Sequence, residues 1–411
     1  MVGEVPQLGM SGRFRTAGKW FAFATVLLDA IGVGIIFPIM PDLLVELGQF
    51  SIAEAAFYGG FLATAYAVMQ FFCSPIIGNL SDSYGRRPVL LISLAAMAVD
   101  YLILGFASTI WVLFLGRILA GIAGATYSTA TAYLADVSSR EDRAKNFGLV
   151  GAAFGVGFVV GPVLGGVFGE VDVRAPFFLA AGLSALNFVF GAFVLPESLP
   201  VEKRRPFTMS RANPLGVLLR ATTRPILRSG LTGNFIYGVA GFVYPAVWSY
   251  FGKERFGWSA STIGLSLAAY GLCVALVKGW LIRHIISLLG EKKTIIFGVW
   301  ITALAMIGTG LAPTSWFVFL LLPISALGDV VDPALIGVLS GRVPDDEQGE
   351  LQGVLASSAA LESIIAPVIM TGTFTLFADR FSPPYLPGAP FLLAALLVLV
   401  AGFPLSRFLR N

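Results

Sequence analysis

The chain has 411 residues, of which 56% are hydrophobic and only 12% charged, with a mean hydropathy of +0.83. A soluble domain carries about 25% charged residues, so no water-soluble fold of this length hides so much apolar surface, and the bilayer must act as solvent. The net charge of +3 carries no nucleic-acid signature, and the two cysteines, Cys73 and Cys273, both sit in apolar runs that offer no disulfide framework.

Arg13, Arg15 and Lys19 precede the first apolar run. That run continues past signal-peptide length into Pro38 and Pro41, without a small-residue cleavage site, so it reads as a spanning helix. About 20 apolar residues cross the hydrocarbon core. By that ruler the first six spans fall at about 20–41, 54–78, 88–106, 110–135, 146–168 and 175–195. The second six fall at about 228–250, 259–282, 294–312, 315–340, 350–377 and 389–406. Runs this long exclude ten-residue barrel strands. The predicted fold is all-α: twelve transmembrane helices in two six-helix bundles, residues 1–195 and 228–411, joined by a cytoplasmic linker at 196–227. Lys203-Arg204-Arg205 lies in that linker, where it could also serve as a polybasic lipid-binding segment. The first helix of each half carries the same G-x-x-x-P spacing, Gly34 to Pro38 and Gly241 to Pro245, as expected of parallel repeats with a substrate site between them.

Loop charge sets the orientation. Of the 27 Lys and Arg, only Arg174, Lys253, Arg255 and Arg380 fall on the side away from the termini; Arg117 and Lys278 fall inside spans. The rest share the side of the termini, which predicts that both termini are cytoplasmic.

Three motifs stand out. Between the second and third spans, Gly78-Asn79-Leu80-Ser81-Asp82-Ser83-Tyr84-Gly85-Arg86-Arg87-Pro88 combines a reversal at Gly85, a helix-starting Pro88, and a charge at Asp82 that can bind a helix N-terminus or a cation. A basic loop that only fixes topology would be the simpler explanation. The fourth span carries Arg117, then Gly121 and Gly124; an Arg inside lipid needs a partner or a task unless it snorkels. The fifth span carries Gly148, Gly157, Gly161, Pro162, Gly165 and Gly166, spacings that permit close helix approach and a bend.

These segments resemble signatures of the major facilitator superfamily: G-x-L-x-D-x-x-G-R-R, R-x-x-x-G and the antiporter pattern G-x8-G-x3-G-P-x2-G-G. Asp29 and Gly32 in the first span, Tyr66 and Gln70 in the second and Asp100-Tyr101 in the third resemble the tetracycline/proton antiporters, closely over about 20–170 and more loosely beyond. The resemblance implies a secondary transporter of a bacterial inner membrane. It would export a drug or other small amphipathic molecule in exchange for protons, as a lipid-embedded monomer with no cofactor beyond the proton gradient. In those antiporters the eighth helix carries a His and the ninth an acid, both linked to coupling. Here the only histidine, His284, ends the eighth span at headgroup level, the ninth has no acid, the eighth carries Lys278 and the tenth carries Asp329 and Asp332.

Ionisable groups within spans are functional candidates by default. Asp29, near the midplane, is the expected proton-exchanging carboxylate, with Arg117 as the cation that tunes it. Asp100, Gln70, Lys278, Asp329 and Asp332 complete the proton-coupling or substrate set, and Glu362 could belong to the cavity or be satisfied locally. Asp329 and Asp332, three apart, are expected on one helix face. Phe37, Tyr66, Phe235, Tyr237, Tyr244 and Trp248 are candidate cavity walls. The alternatives are export or uniport of an endogenous metabolite, and a receptor built on the same fold. No nucleophile–base set, metal-ligand spacing or phosphate-cradling loop points to an enzyme.

Overall fold

A computed structural model describes residues 12–124, 126–139, 141–208, 225–380 and 383–410. The first half contains α1 (Gly12–Gly48), α2 (Ile52–Tyr84), α3 (Arg86–Phe106), α4 (Ile110–Ala123), α5 (Thr126–Val137), α6 (Arg143–Val171) and α7 (Ala175–Val194). The second contains α8 (Pro225–Gly241), α9 (Val243–Phe256), α10 (Ala260–Leu276), α11 (Ile282–Gly310), α12 (Ser315–Gly328), α13 (Val331–Ser340), α14 (Gln348–Ala378) and α15 (Ala389–Arg410). These make twelve spans because several crossings use two pieces. The fourth is α4 with α5, the seventh α8 with α9, and the tenth α12 with α13. The continuous run Ala260–Gly310 holds 51 residues, about 76 Å of helix, more than twice the ~30 Å core. Gly290, with φ 74° and ψ 160°, reverses the chain inside it and separates the eighth span from the ninth. A residue with a Cβ is strained at such a φ.

Local chemistry sets the ends. Ser51 and Glu54 form a capping box at the start of α2: Ser51 Oγ accepts the Glu54 amide at 3.2 Å, and Glu54 Oε2 accepts the Ser51 amide at 2.9 Å. Ser259 caps α10 and Thr314 caps α12 in the same sense. Gly257, at φ 65°, ends α9 in a left-handed turn.

The two halves meet through α2 with α14, α6 with α10, and α9 with α1 and α2. The residues that touch lie toward the side remote from residues 12 and 410. Thr64 Oγ1 donates to the Ile364 carbonyl at 3.0 Å and Thr375 Oγ1 to the Ala53 carbonyl at 2.9 Å. Lys253 pairs with Asp42 at 2.5 Å, and the Ser261 amide donates to Glu170 at 3.3 Å. On the side of the termini, α5 packs on α1, α3 and α6 of its own half, and α13 on α8 and α11 of its own. The cleft between the halves therefore opens toward the termini.

Two sequence expectations change here. The G-x-x-x-P echo is not an echo in structure, since α1 runs unbroken through Pro38 and Pro41 whereas the seventh span is interrupted at Phe242. Asp329 and Asp332 do not share one continuous helix, because α12 ends at Gly328, with Asp329 as its cap, and Asp332 sits in the first turn of α13. The expected linker at 196–227 falls partly outside the described residues, with Arg211, Arg220 and Arg224 among those not described.

Candidate functional site

A cavity of about 270 Å³ lies between the halves, near the lower end of the size range of small-molecule sites. α1 supplies Val33, Ile36, Phe37 and Met40, each on the face that follows from 3.6 residues per turn. α2 adds Tyr66 and Gln70, α3 adds Tyr101, and α4 adds Arg117; Phe242, Ser249, Tyr250, Ser363 and Thr371 come from the second half. The wall is mostly apolar, and its charged residue, Arg117, stands among Tyr66, Gln70 and Tyr101 of the first half.

Those polar groups form one network. Arg117, 9% exposed, pairs through Nη2 with the Oδ2 of Asp100, which is fully buried. The guanidinium stands 5.9 Å from the centre of the Tyr66 ring, within cation–π range. Gln70 Nε2 donates to Tyr66 Oη at 2.9 Å and to the Gly124 carbonyl at 3.1 Å, a carbonyl freed where α4 ends. Tyr101 is 1% exposed, and its hydroxyl has no hydrogen-bond partner among the described residues. That hydroxyl lies against Gly32, where any side chain would collide with it.

Asp29 sits on α1 one turn before Val33, toward the cleft opening. It is half-buried and makes no ion pair or hydrogen bond with another described residue. Arg117 therefore does not pair with Asp29 as expected, because Asp100 on α3 takes it. The link is indirect: the charges of Asp29, Arg117 and Asp100 all act on Tyr66 and Tyr101, which bridge them along the wall.

The antiporter-type glycines have separate tasks. A Cβ at Gly157 would stand 2.6 Å from the Leu27 carbonyl, and one at Gly161 2.5 Å from the Ile31 carbonyl; Gly165 is equally close to Ile35. This stripe at four-residue spacing seats α6 on α1. Gly166 faces the other half, 2.6 Å from the Ala260 carbonyl, and Gly264 of α10 packs on Pro162. Gly148 has open space around it, so close helix approach is not its role in this state.

At the 2–3 loop, Arg86 pairs with Asp82 at 2.6 Å and with Asp136 of α5 at 3.2 Å. The acid that binds the N-terminus of α3 is Glu197, not Asp82: its carboxylate accepts the Arg86 amide at 2.8 Å and the Arg87 amide at 3.3 Å. Arg87 Nη2 donates to the Ala192 carbonyl at 2.7 Å. Gly85 turns the chain at φ 107°, and Gly78 faces open space. Sequence reasoning missed Glu197 and Asp136, which stand at the ends of the sixth and fourth spans with only their acidity as a signal.

The second half holds the other charged candidates away from this cavity. Asp329 Oδ2 accepts Tyr270 Oη at 2.8 Å. Glu362, 6% exposed, accepts Ser358 Oγ at 2.9 Å and is satisfied locally against Gly238. Of the expected walls, Phe37 and Tyr66 line the cavity. Tyr237, Tyr244 and Trp248 lie behind it, Trp248 donating to Ser266 Oγ at 2.8 Å, and Phe235 packs into the core. Tyr101, Tyr250 and Phe242 were not foreseen as walls. His284 is exposed beside Trp280, with ring centres 4.8 Å apart.

A two-half helical transporter with a cavity at the seam is thus the class defined by fold and site. The sequence matches the Major Facilitator Superfamily over residues 22–285 and 230–411, and the chain belongs to that family. Within it, the chain falls in the branch of the tetracycline resistance proteins. It is 42% identical to the class C tetracycline resistance protein of Escherichia coli, across 92% of this chain and 93% of that one. Among solved structures, the human organic anion transporter MFSD10 (TETRAN) shares 24% identity at a TM-score of 0.69, over 95% of this chain and 99% of that one. The nucleoside transporter NupG shares 14% at 0.77, over 97% and 99%. Both similarities show the fold alone.

Proposed function

We propose that the protein sits in a bacterial inner membrane with both termini in the cytoplasm, and that it exports a drug or other small amphipathic molecule in exchange for protons. The observation that carries this is the seam cavity. It is walled by aromatic and apolar side chains from both halves, with Arg117, paired with Asp100 behind it, in its wall and Asp29, which pairs with no other described residue, one turn nearer the cleft opening. Under this topology the open cleft faces the cytoplasm, from which the substrate is loaded. Protonation of Asp29 and arrival of the substrate compete for the same polar wall, through Tyr66 and Tyr101. One chain supplies the whole cavity, which supports a monomer as the transporting unit.

The likeness to the class C tetracycline resistance protein nominates tetracycline as the first substrate to try. The absence of a histidine within the core of the eighth span and of an acid in the ninth makes a panel of drugs the proper test. The chain is expressed in an efflux-deficient bacterium, and growth is scored against that panel. Raised tolerance to at least one drug, lost when the proton gradient is collapsed, is the expected result. Unchanged tolerance to all of them, with the protein present in the membrane, would refute the reading.

A further inference from the structure

The chain that leaves α7 folds back on the first half. Glu197 ties its start: the carboxylate that accepts the Arg86 and Arg87 amides also accepts the Leu199 amide at 3.0 Å, and Ser198 Oγ donates to Asp136 at 3.1 Å. An exposed 3-10 turn, Val201–Lys203, follows. Residues 205–208 then lie against the end of α2. The last turn of a helix leaves carbonyls without intrahelical partners. This strap takes one of them, the Arg205 amide donating to the Asp82 carbonyl at 3.1 Å. Two side chains of α2 hold the strap in return. Asn79 Nδ2 donates to the Thr208 carbonyl at 2.7 Å, and Ser83 Oγ donates to the Arg205 carbonyl at 2.7 Å. Asn79 is only 6% exposed beneath it.

The strap lies where the halves would meet if the cleft closed. On the closed side α2 and α14 run antiparallel: Ala53 meets Thr375, Gly60 lies against Thr371, and Thr64 meets Ile364. Each step along α2 toward the cleft mouth matches a step back along α14. The same register sets Asn79 opposite the first turn of α14, which begins at Gln348. The face of α2 is the same as well. With 3.6 residues per turn, Pro75, Gly78 and Asn79 all fall within about 60° of Thr64 around the helix axis. Gly78 faces open space, and Asn79 faces the strap. The strap therefore occupies ground that α14 takes when the cleft shuts. We propose that residues 205–208 hold the cleft open, with Asn79 and Ser83 as the clasp, and that this strap lifts off α2 whenever α14 closes onto that face. Glu197 stays bonded to α3, and the exposed turn Val201–Lys203 acts as the hinge. The device depends on a cleft that opens and closes, not on the cargo.

The test reads the cleft directly. Spin labels are attached through Glu141→Cys and Lys292→Cys, exposed positions in the two halves on the side of the termini, in a full-length chain freed of Cys73 and Cys273 and held in lipid nanodiscs. Double electron–electron resonance then gives the ratio of closed to open clefts. Two hydrogen bonds lost from the open state alone shift such a ratio about tenfold. Asn79→Ala with Ser83→Ala is expected to raise the closed fraction by about that factor, and hydrogen exchange at the Arg205 amide should quicken with it. Thr208→Ala keeps the carbonyl that Asn79 bonds and removes a hydroxyl that has no partner, so its ratio should match the parent. An unchanged ratio in the double variant, or a shift toward the open cleft, overturns the proposal. Faster exchange with an unchanged ratio overturns it too, since the strap would then be only a cap on α2. So does a Thr208→Ala shift as large as the double variant's. If the double variant does not fold, Ser83→Ala alone decides: a ratio raised about threefold supports the strap, and an unchanged ratio overturns it. A shift toward closure in a chain that confers no drug tolerance would sink the export reading and leave the strap standing.

Discussion

Removing Arg117 tests how the first half is held together. Asp100 is fully buried and Arg117 is 9% exposed, so each is the other's main compensation. Breaking such a pair from one side strands a buried charge and costs about 3–5 kcal/mol, whereas removing both partners together costs far less. The second oxygen of Asp100, Oδ1, already lacks a hydrogen bond, so no reserve partner takes over when the guanidinium goes. Arg117→Ala should therefore lower stability by about 3–5 kcal/mol. Arg117→Ala with Asp100→Asn should recover most of the loss. The measurement is thermal unfolding of purified protein in one detergent, followed by tryptophan fluorescence, for the parent, both single variants and the double variant. A single-variant loss below about 1 kcal/mol, typical of a surface pair, or a double variant no better than Arg117→Ala, would refute the reasoning. A change in transport alone would not rescue it.

Asp82→Asn should cut transport per inserted molecule while insertion stays normal, because Arg86 keeps Asp136 but loses its 2.6 Å partner; quantifying transport against membrane-inserted protein checks this, and normal specific activity would count against it. Gly161→Ala should destabilise the seat of α6 on α1 by about 1–3 kcal/mol through overpacking, while Gly148→Ala, facing open space, should melt like the parent protein. A cysteine pair at positions 53 and 375, in a chain freed of Cys73 and Cys273, should oxidise readily and stop transport by pinning the closed side; transport that survives complete cross-linking would exclude the opening of that side. Asp29→Asn should abolish uphill transport driven by a pH gradient in proteoliposomes while substrate binding persists, and undiminished gradient-driven transport would move the coupling role elsewhere.

Much of this architecture was legible because hydrocarbon is an unforgiving solvent. Each crossing needs a long apolar run, so the spans could be counted by length, and Arg283, Lys292 and Lys293 marked the loop where Gly290 turns the chain inside a continuous helix. Helix breaks were harder to see. Pro245 and Pro333 fall in the first turn after Phe242 and Asp329, each lacking the amide that would bond the carbonyl four residues back, but Pro38 and Pro41 leave α1 unbroken, so a proline alone does not show where a span is interrupted. The intramembrane charges announced themselves singly, since a charge in an apolar run is conspicuous. Their partners did not. Arg117 could reach either Asp29 or Asp100 by depth, and only the packing of α3 on α4 decides for Asp100. The aromatic residues of the second half showed the same limit. Composition named Tyr237, Tyr244 and Trp248 as walls, but the faces they occupy turn them toward their own half's core.

The contacts within the halves and between them differ in extent, and that difference bears on movement. Within the first half, α1 and α6 interlock along Gly157, Gly161 and Gly165, where backbone meets backbone. A buried seam of this sort resists sliding, because every side chain larger than hydrogen collides. Between the halves the closed side combines hydrogen bonds from Thr64, Thr375 and Ser261 and the half-buried pair Asp42–Lys253 with close packing of Gly166 on Ala260 and of Gly264 on Pro162. Polar contacts of this kind contribute roughly 0–1 kcal/mol each. A ligand needs a differential affinity of about 5.5 kcal/mol to carry a two-state equilibrium from 1:99 to 99:1. The four polar contacts at roughly 1 kcal/mol apiece lie within reach of such a ligand, and the packing of Gly166 and Gly264 across the halves is shorter than the three-glycine stripe that joins α6 to α1. The halves should therefore rock as bodies about the cavity, with α1 and α6 moving together, and the closed side should yield before either bundle does.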